Sequence, residues 1–219
     1  MKITISKENY LKTIAEAESE GEVVKAATLA RWLRVSPPAV TMAIKRLKRD
    51  ALIHVGPEGQ LTLTDAGREI ANRLLQRHHL IERMLTEIFG MEWYKVHDEA
   101  EQLEHAVSAD FERRLVEKLG TDFACPHGNR VERDTAQDRR ARGLQPLSEM
   151  GPQQVSRIVS VFERDRKLLE YLNGLGIRPG ASIETVSHNY DDTFTLRVGG
   201  EPVQLGSGAA EKVWVERQT

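Results

Sequence analysis

The chain has 219 residues, 29% of them charged, with a net charge of −2 and one cysteine, Cys125. That length favours two domains over one. The lone thiol excludes an internal disulfide framework and fits a reducing cytoplasm, and the near-neutral balance confines any nucleic-acid surface to a local patch. No apolar run approaches the roughly 18 residues that span a bilayer and no charged-then-apolar leader opens the chain, so a soluble cytoplasmic protein with no membrane partner is expected.

Ser6 is read as the N-cap of a first helix that reaches about Glu20, with Tyr10, Leu11, Ile14 and Ala15 on its buried face and Gly21 ending it. Val24–Leu33 makes a short amphipathic helix. Val35-Ser36-Pro37-Pro38 then forms a turn whose serine can cap and whose prolines fit a helix start. Ala39–Asp50 is the next helix, with Val40, Ala43, Ile44 and Leu47 inward. Two short helices across a tight turn form a helix-turn-helix. Between Val23 and Arg49 lie seven basic residues (Lys25, Arg31, Arg34, Lys45, Arg46, Lys48, Arg49) and no acidic one. Ile53, Val55, Leu61 and Leu63 alternate around Gly56-Pro57-Glu58-Gly59, as in a hairpin, which turns the motif into a winged helix.

In such a domain the Ala39–Asp50 helix enters the major groove with its N-terminal end leading. Ser36, Pro38, Ala39, Thr41 and Met42 then lie nearest the bases, while Lys45, Arg46, Lys48 and Arg49 hold phosphates. The base-facing set contains no Arg, Asn or Gln, so contact with thymine methyls and DNA shape must carry much of the specificity.

Thr64-Asp65-Ala66-Gly67 opens a long helix that delivers the chain to Gln76–Gly120, where four of the seven histidines fall: His78, His79, His97 and His105. At about 100° per residue, His97, Glu101, Glu104 and His105 share one arc of a helix expected from about Glu92 to Leu119. That helix buries Val96, Ala100, Leu103, Val107, Phe111 and Leu115. His78 and Glu82 stand at i, i+4 on the preceding helix. Mixed imidazole and carboxylate donors suit Fe(II), Mn(II), Co(II), Ni(II) or Zn(II) better than a soft ion. Surplus apolar surface at Leu80, Met84, Leu85, Ile88 and Phe89 implies a homodimer seam. Phe123–Gly151 reads as a surface connection, with Cys125 and His127 as parts of a Pro-Gly turn, a structural role being favoured over metal ligation. From Val155 the pattern turns to strands, at Val155–Val161, Ile183–Val186, Thr193–Val198, Pro202–Leu205 and Lys212–Val215. One helix at Glu163–Leu172 interrupts them, and a small barrel fits.

Taken together, Glu8–Ile14, Ser36–Leu52, His78–Glu82, Lys95–Ala100 and Glu104-His105 give the chain a sequence that resembles the diphtheria toxin repressor family of metal-dependent transcriptional repressors. The region after Val155 is similar to the SH3-like third domain of the iron-responsive branch. The resemblance implies a mainly α fold with a small β part: a winged helix-turn-helix (1–73), a helical dimerisation and metal-binding domain (74–124), a linker (125–152) and an SH3-like barrel (153–219). It implies one metal site of His78, Glu82 and His97 joined by Glu163, where Arg166 stands for a glutamine common in the family and cannot ligate. A second site, which gates DNA binding, takes Glu104 and His105 with the residues at positions 9 and 101. The iron branch has Met and Cys there, whereas the manganese branch has Asp and Glu and adds a second Glu where this chain has Lys12. Here the residues are Asn9 and Glu101.

The implied activity is repression of metal-uptake and homeostasis genes, by a homodimer on double-stranded operator DNA. Its corepressor is Mn(II) or Fe(II), and Zn(II), Co(II) or Ni(II) bind in vitro. No enzymatic activity is expected, although two imidazoles and one carboxylate are also the set used by non-haem Fe(II) oxygenases. The alternative is a winged-helix regulator of a small molecule or partner, its histidines structural.

Overall fold

The computed structural model describes residues 3–120, 124–131 and 134–218. Phe123 and positions 132–133 of the expected linker lie outside the described residues. Two compact units divide the chain: Met1–His78 with Val131–Ala136, and His79–Arg130 with Gln137–Thr219.

The first unit contains α1 (Ile5–Ser19), α2 (Ala26–Leu33), α3 (Pro37–Arg49), the hairpin strands β1 (Ile53–Val55) and β2 (Leu61–Leu63), and α4 (Asp65–Arg83) as far as His78. Thr4, not Ser6, caps α1. Its backbone is extended, as an N-cap requires, and its side chain accepts from the Lys7 amide. Ser36 holds the N-cap position of α3 but makes no side-chain cap bond, and Pro37 and Pro38, which lack an N–H, leave fewer amides at this helix start to be capped. Val24 stays outside α2, and its carbonyl accepts from the Leu61 amide at 2.8 Å, tying the hairpin to the helices.

Leu11, Ile14, Leu29, Val40, Leu47, Leu61 and Ala71 form the centre of one core, so α1, α2, α3, the hairpin and α4 all contribute to it. The strands pair antiparallel with Ile53 opposite Leu63 and Val55 opposite Leu61. The start of α4 is pinned to the foot of this hairpin. Thr64 donates its amide to Leu52 O at 3.1 Å and its hydroxyl to Ala51 O at 2.8 Å, while that hydroxyl oxygen accepts from Gly67 N at 3.1 Å.

In the second unit α4 continues from His79 and widens into a π-helical turn, Met84–Ile88. The single helix expected over Glu92–Leu119 is two: α5 (Val96–Leu103) and α6 (Ala109–Leu119). Ser108 makes the break, since its side chain accepts from Phe111 N at 3.2 Å and opens a new helix. Leu80, Ile81, Met84, Leu85, Val96, Ala100, Leu115 and Leu119 share a core, whereas Leu103 and Phe111, expected inside, are exposed.

The remainder carries α7 (Ala136–Ala141), β3 (Leu144–Pro146), β4 (Gln154–Val161), α8 (Arg166–Gly174), β5 (Ser182–His188), β6 (Thr193–Val198), β7 (Glu201–Gly206), α9 (Ser207–Ala210) and β8 (Val213–Arg217). Six strands form one antiparallel sheet in the order β3-β8-β4-β5-β6-β7, the small SH3-like part of a mainly helical chain. The stretch expected as a surface connection is partly interior. β3 joins the sheet edge against β8, and Leu147 and Met150 enter the sheet's core. Asp165 caps α8 by accepting from Leu168 N at 3.1 Å, so Glu163 stands before the helix, at the corner that follows β4. Among the described residues no helix is long and apolar enough to cross a membrane.

A methyl group on Gly67 would lie 2.0 Å from Leu52 O, a contact that only a shift of backbone relieves. Gly67→Ala is therefore expected to destabilise the first unit by about 2 kcal/mol or more, read as a lower thermal unfolding midpoint with α-helical content retained below it.

Candidate metal centre

Glu82 is completely buried on α4, and its Oε1 lies 3.3 Å from Nδ1 of His97 on α5 and 3.4 Å from Nδ1 of His127. From the corner after β4, Glu163 brings Oε2 to 3.5 Å from His127 Nδ1 and Oε1 to 3.9 Å from His97 Nδ1. Cys125 Sγ is 3.4 Å from Glu163 Oε2 and 3.8 Å from His127 Nδ1. His79, Glu82, Cys125 and Glu163, all buried, each offer a donor atom within 4.8 Å of one another. A set of thiol, imidazole and carboxylate donors on three separate segments fits a divalent transition ion.

The turn carrying Cys125 and His127 is held tightly. Cys125 and Asn129 are joined by a backbone bond of 3.0 Å, Gly128 N donates to Cys125 O at 2.8 Å, and Val161 N donates to His127 O at 2.9 Å. Gly128 has φ +84°, and a Cβ there would sit 1.9 Å from Val159 O, so the turn presses on β4 at a point where only glycine fits. Beyond the cluster, His127 Nε2 bonds the carbonyl of Trp93 at 2.9 Å, and Asn129 donates to Glu163 Oε2 at 2.7 Å. Such outer bonds fix ring and carboxylate orientation toward a metal.

Burial alone would lower the pKa of His97. Glu101, Glu82 and Glu163 outweigh it and raise the value to about 9. For His127, burial is likewise overcome by Glu82 and Glu163, to about 10. Burial and the neighbouring Glu82 push Glu163 up, but the two imidazoliums hold it well below the usual carboxylate range. Burial, then Glu163 and Glu82, push the Cys125 thiol well above its ordinary value. The two imidazoles thus favour their protonated forms beside the Glu82 and Glu163 carboxyl groups, and the Cys125 thiol favours its neutral form.

Of the residues expected from sequence, Glu82, His97 and Glu163 meet in this cluster, and His78, Glu82 and His97, all buried, likewise each offer a donor atom within 4.8 Å of one another. His78 stands one turn before Glu82 on α4 and is completely buried, with Nδ1 2.9 Å from the ammonium of Lys12. A protonated Lys12 makes that nitrogen the acceptor and leaves the ring proton on Nε2, so His78 can ligate through Nε2 only if Lys12 gives way. Lys12, in turn, is buried 3.9 Å from Glu16. Glu104 Oε1 lies 3.5 Å from His105 Nε2 just beyond α5. Glu101 Oε1 is 3.6 Å from His97 Nε2 and 3.2 Å from Arg164 Nη1. Asn9 is half-buried on α1 of the first unit. Arg166 pairs with Glu170 at 3.0 Å and Asp98 at 3.5 Å and takes no part in the cluster. His79 and Cys125, outside the expected ligand set, stand in the cluster with His127 beside them, and the Cys-x-His spacing before Gly128 is the sequence signal for the last two.

On α3, Ser36, Pro38, Ala39, Thr41, Met42, Lys45, Arg46 and Arg49 are all exposed, while Val40 and Leu47 face the core. The Thr41 hydroxyl donates to Pro37 O at 3.0 Å, which leaves its methyl and lone pairs outward. Arg49 bonds Asp50 at 3.2 Å, and Asp50 also pairs with Lys7, so Lys45, Arg46 and Lys48 are the basic side chains of this helix most readily offered to phosphate.

Three family models match successive parts of the chain. They are the iron-dependent repressor N-terminal DNA-binding domain over residues 2–61, the iron-dependent repressor metal-binding and dimerisation domain over 64–132, and the FeoA domain over 145–217. The chain is 34% identical over 219 residues to the diphtheria toxin repressor of Corynebacterium efficiens, covering 96% of this chain and 94% of that protein. It is 32% identical over 222 residues to the iron-dependent repressor IdeR of Mycobacterium tuberculosis, covering 96% of each. A solved manganese-dependent transcriptional repressor in complex with manganese superposes with a TM-score of 0.85 at 29% identity, over 97% of this chain and all of that one.

Ligation through the shared face of His97 and His127 requires neutral rings, so metal uptake near pH 7 is expected to release about two protons, and a third if Cys125 ligates as thiolate. Calorimetric titration in buffers of different ionisation enthalpy measures this, and apparent affinity should fall as pH falls. The sign for the metal-free protein is opposite. With folded pKa values of about 9 and about 10 against an ordinary 6.5, these rings contribute stability that is fully present below pH 6.5 and lost as pH rises through 9 to 10. Urea unfolding of the metal-free protein across that range reads the loss.

Proposed function

The chain belongs to the diphtheria toxin repressor family of metal-dependent DNA-binding repressors, and from that membership we propose that it represses metal-uptake and homeostasis genes as a cytoplasmic homodimer on operator DNA, with Mn(II) or Fe(II) as corepressor. The observation carrying this reading is the buried cluster of Glu82, His97, Cys125, His127 and Glu163, whose side chains converge from α4, α5, the 125–129 turn and the corner after β4. Zn(II), Co(II) and Ni(II) follow in vitro, since raw affinity rises along the Irving–Williams order. The cycle is one of binding and release, without a chemical reaction.

Residues 1–73 read DNA, 74–124 dimerise and bind metal, 125–152 supply Cys125 and His127, and 153–219 supply Glu163. The α3 set from Ser36 to Met42 faces the bases, Lys45, Arg46 and Lys48 face phosphates, and Arg49 joins them when it leaves Asp50. Exposed apolar side chains at Ile88 (43%), Phe89 (69%), Leu103 (37%) and Phe111 (43%) give the dimer a seam. His79 and, once Lys12 withdraws, His78 complete the buried site. The resemblance assigns Glu101, Glu104 and His105, together with Asn9, to a gating group. A bound ion supplies positive charge that holds carboxylates and imidazoles from different segments in one arrangement. The residues do the rest: Glu82 and Glu163 fix the helical part to the corner after β4, while Trp93 and Asn129 orient His127 and Glu163. Metal affinity and operator affinity are then coupled reciprocally.

One observation favours a second reading, in which the cluster is structural: its imidazoles and carboxyl groups already contact one another at 3.3 to 3.9 Å. Operator fragments selected from random duplexes separate the two in mobility shifts with chelator, then with Mn(II), Fe(II) or Zn(II). Metal is expected to tighten binding at least roughly tenfold, and Glu104→Ala with His105→Ala should abolish that gain while circular dichroism stays unchanged. Equal binding with chelator and metal would favour the structural reading.

A further inference from the structure

The corner Glu163–Arg166, between β4 and α8, does more than present one carboxylate. Within four residues it sends Glu163 into the buried cluster and turns two guanidiniums onto the acidic face of α5, Arg164 to Glu101 at 3.2 Å and Arg166 to Asp98 at 3.5 Å. Arg164 is mostly buried, with 16% of its side chain exposed, against 41% for Glu101. The two arginines meet α5 residues three apart in sequence, but only one of these, Glu101, belongs to the proposed gating group with Glu104 and His105.

We propose that Arg164 is a built-in competitor for the gating metal: its guanidinium occupies the Glu101 carboxylate and sets the metal concentration at which that group fills. This deepens the proposed function and rests on it. The physical basis is charge. A guanidinium stays protonated at any pH the protein meets, so it cannot vacate Glu101 by losing a proton, as an imidazole can. A dication that takes Glu101 as ligand meets a fixed positive charge on the same carboxylate, and either the pair opens or the ion is bound against repulsion. The competing charge is carried by the SH3-like part, so the threshold of the gating group depends on a domain that contributes none of that group's own ligands. Arg166 provides an internal comparison, because it ties the same corner to the same helix without touching a gating residue.

Free Mn(II), followed by its electron paramagnetic resonance signal during titration of the full chain, tests the proposal with Mn(II) alone as probe. The gating step is the one removed by Glu104→Ala with His105→Ala. Arg164→Gln is expected to move that step to about three- to fivefold lower free Mn(II), the size appropriate to a partly exposed ion pair, and Arg166→Gln to leave it in place. A gating step unmoved or weakened by Arg164→Gln overturns the competitor alone. Equal shifts in both arginine variants overturn it too, since general loosening of the corner would then suffice. A titration in which Glu104→Ala with His105→Ala removes no step overturns the gating assignment, and the competitor falls with it.

Discussion

The close meeting of two imidazoles and two carboxyl groups, His97 and His127 with Glu82 and Glu163, in a water-poor interior is the constraint from which the second unit takes its form. None of Glu82, His97, His127 or Glu163 tolerates burial singly, because an isolated charge there costs several kcal/mol. Each is acceptable only while the others are in place. The arrangement therefore demands that α4, α5, the 125–129 turn and the corner after β4 meet at one point. In the proposed metal-bound state a dication would replace two protons and leave the net charge of the cluster unchanged, so the same donors would serve both states without a new burial penalty.

The first unit meets a different demand. It must expose a basic helix without losing its core, and it does so by giving α3 a narrow inward stripe, Val40 and Leu47, and leaving the rest to solvent. The hairpin is fastened to α2 through Val24 and to α4 through Thr64 and Gly67, so the wing and the reading helix belong to one rigid piece. Lys12 and His78 add a buried polar contact of 2.9 Å inside that piece.

Much of this was legible in the sequence, for identifiable reasons. The winged helix could be read because periodicity, paired prolines and a long stretch free of acid all point the same way, and Glu82 and His97 because helical spacing places them. The break at Ser108 was obscured by apolar residues that continue in helical phase across it, although Ser-Ala-Asp is a capping pattern. Cys125 and His127 looked like turn residues because local sequence cannot say which distant carboxylates a turn will lie against. That is decided by Gly128, whose missing side chain lets the turn approach β4, and by Asp165, which delays α8 and leaves Glu163 on an extended corner. His79 was hidden beside His78, since neighbours on a helix point about 100° apart and only one was expected to face inward.

The π-helical turn at Met84–Ile88 follows immediately after the helix segment that carries His79 and Glu82. By accommodating one residue more than an α-turn does, it resets the rotational phase of everything beyond it. The face holding Ile88 and Phe89 is thereby unlinked from the face holding the donors. Substitutions on the exposed outer side, at Ile88 and Phe89, can therefore accumulate without rotating the inner side, and the donors it carries, out of alignment.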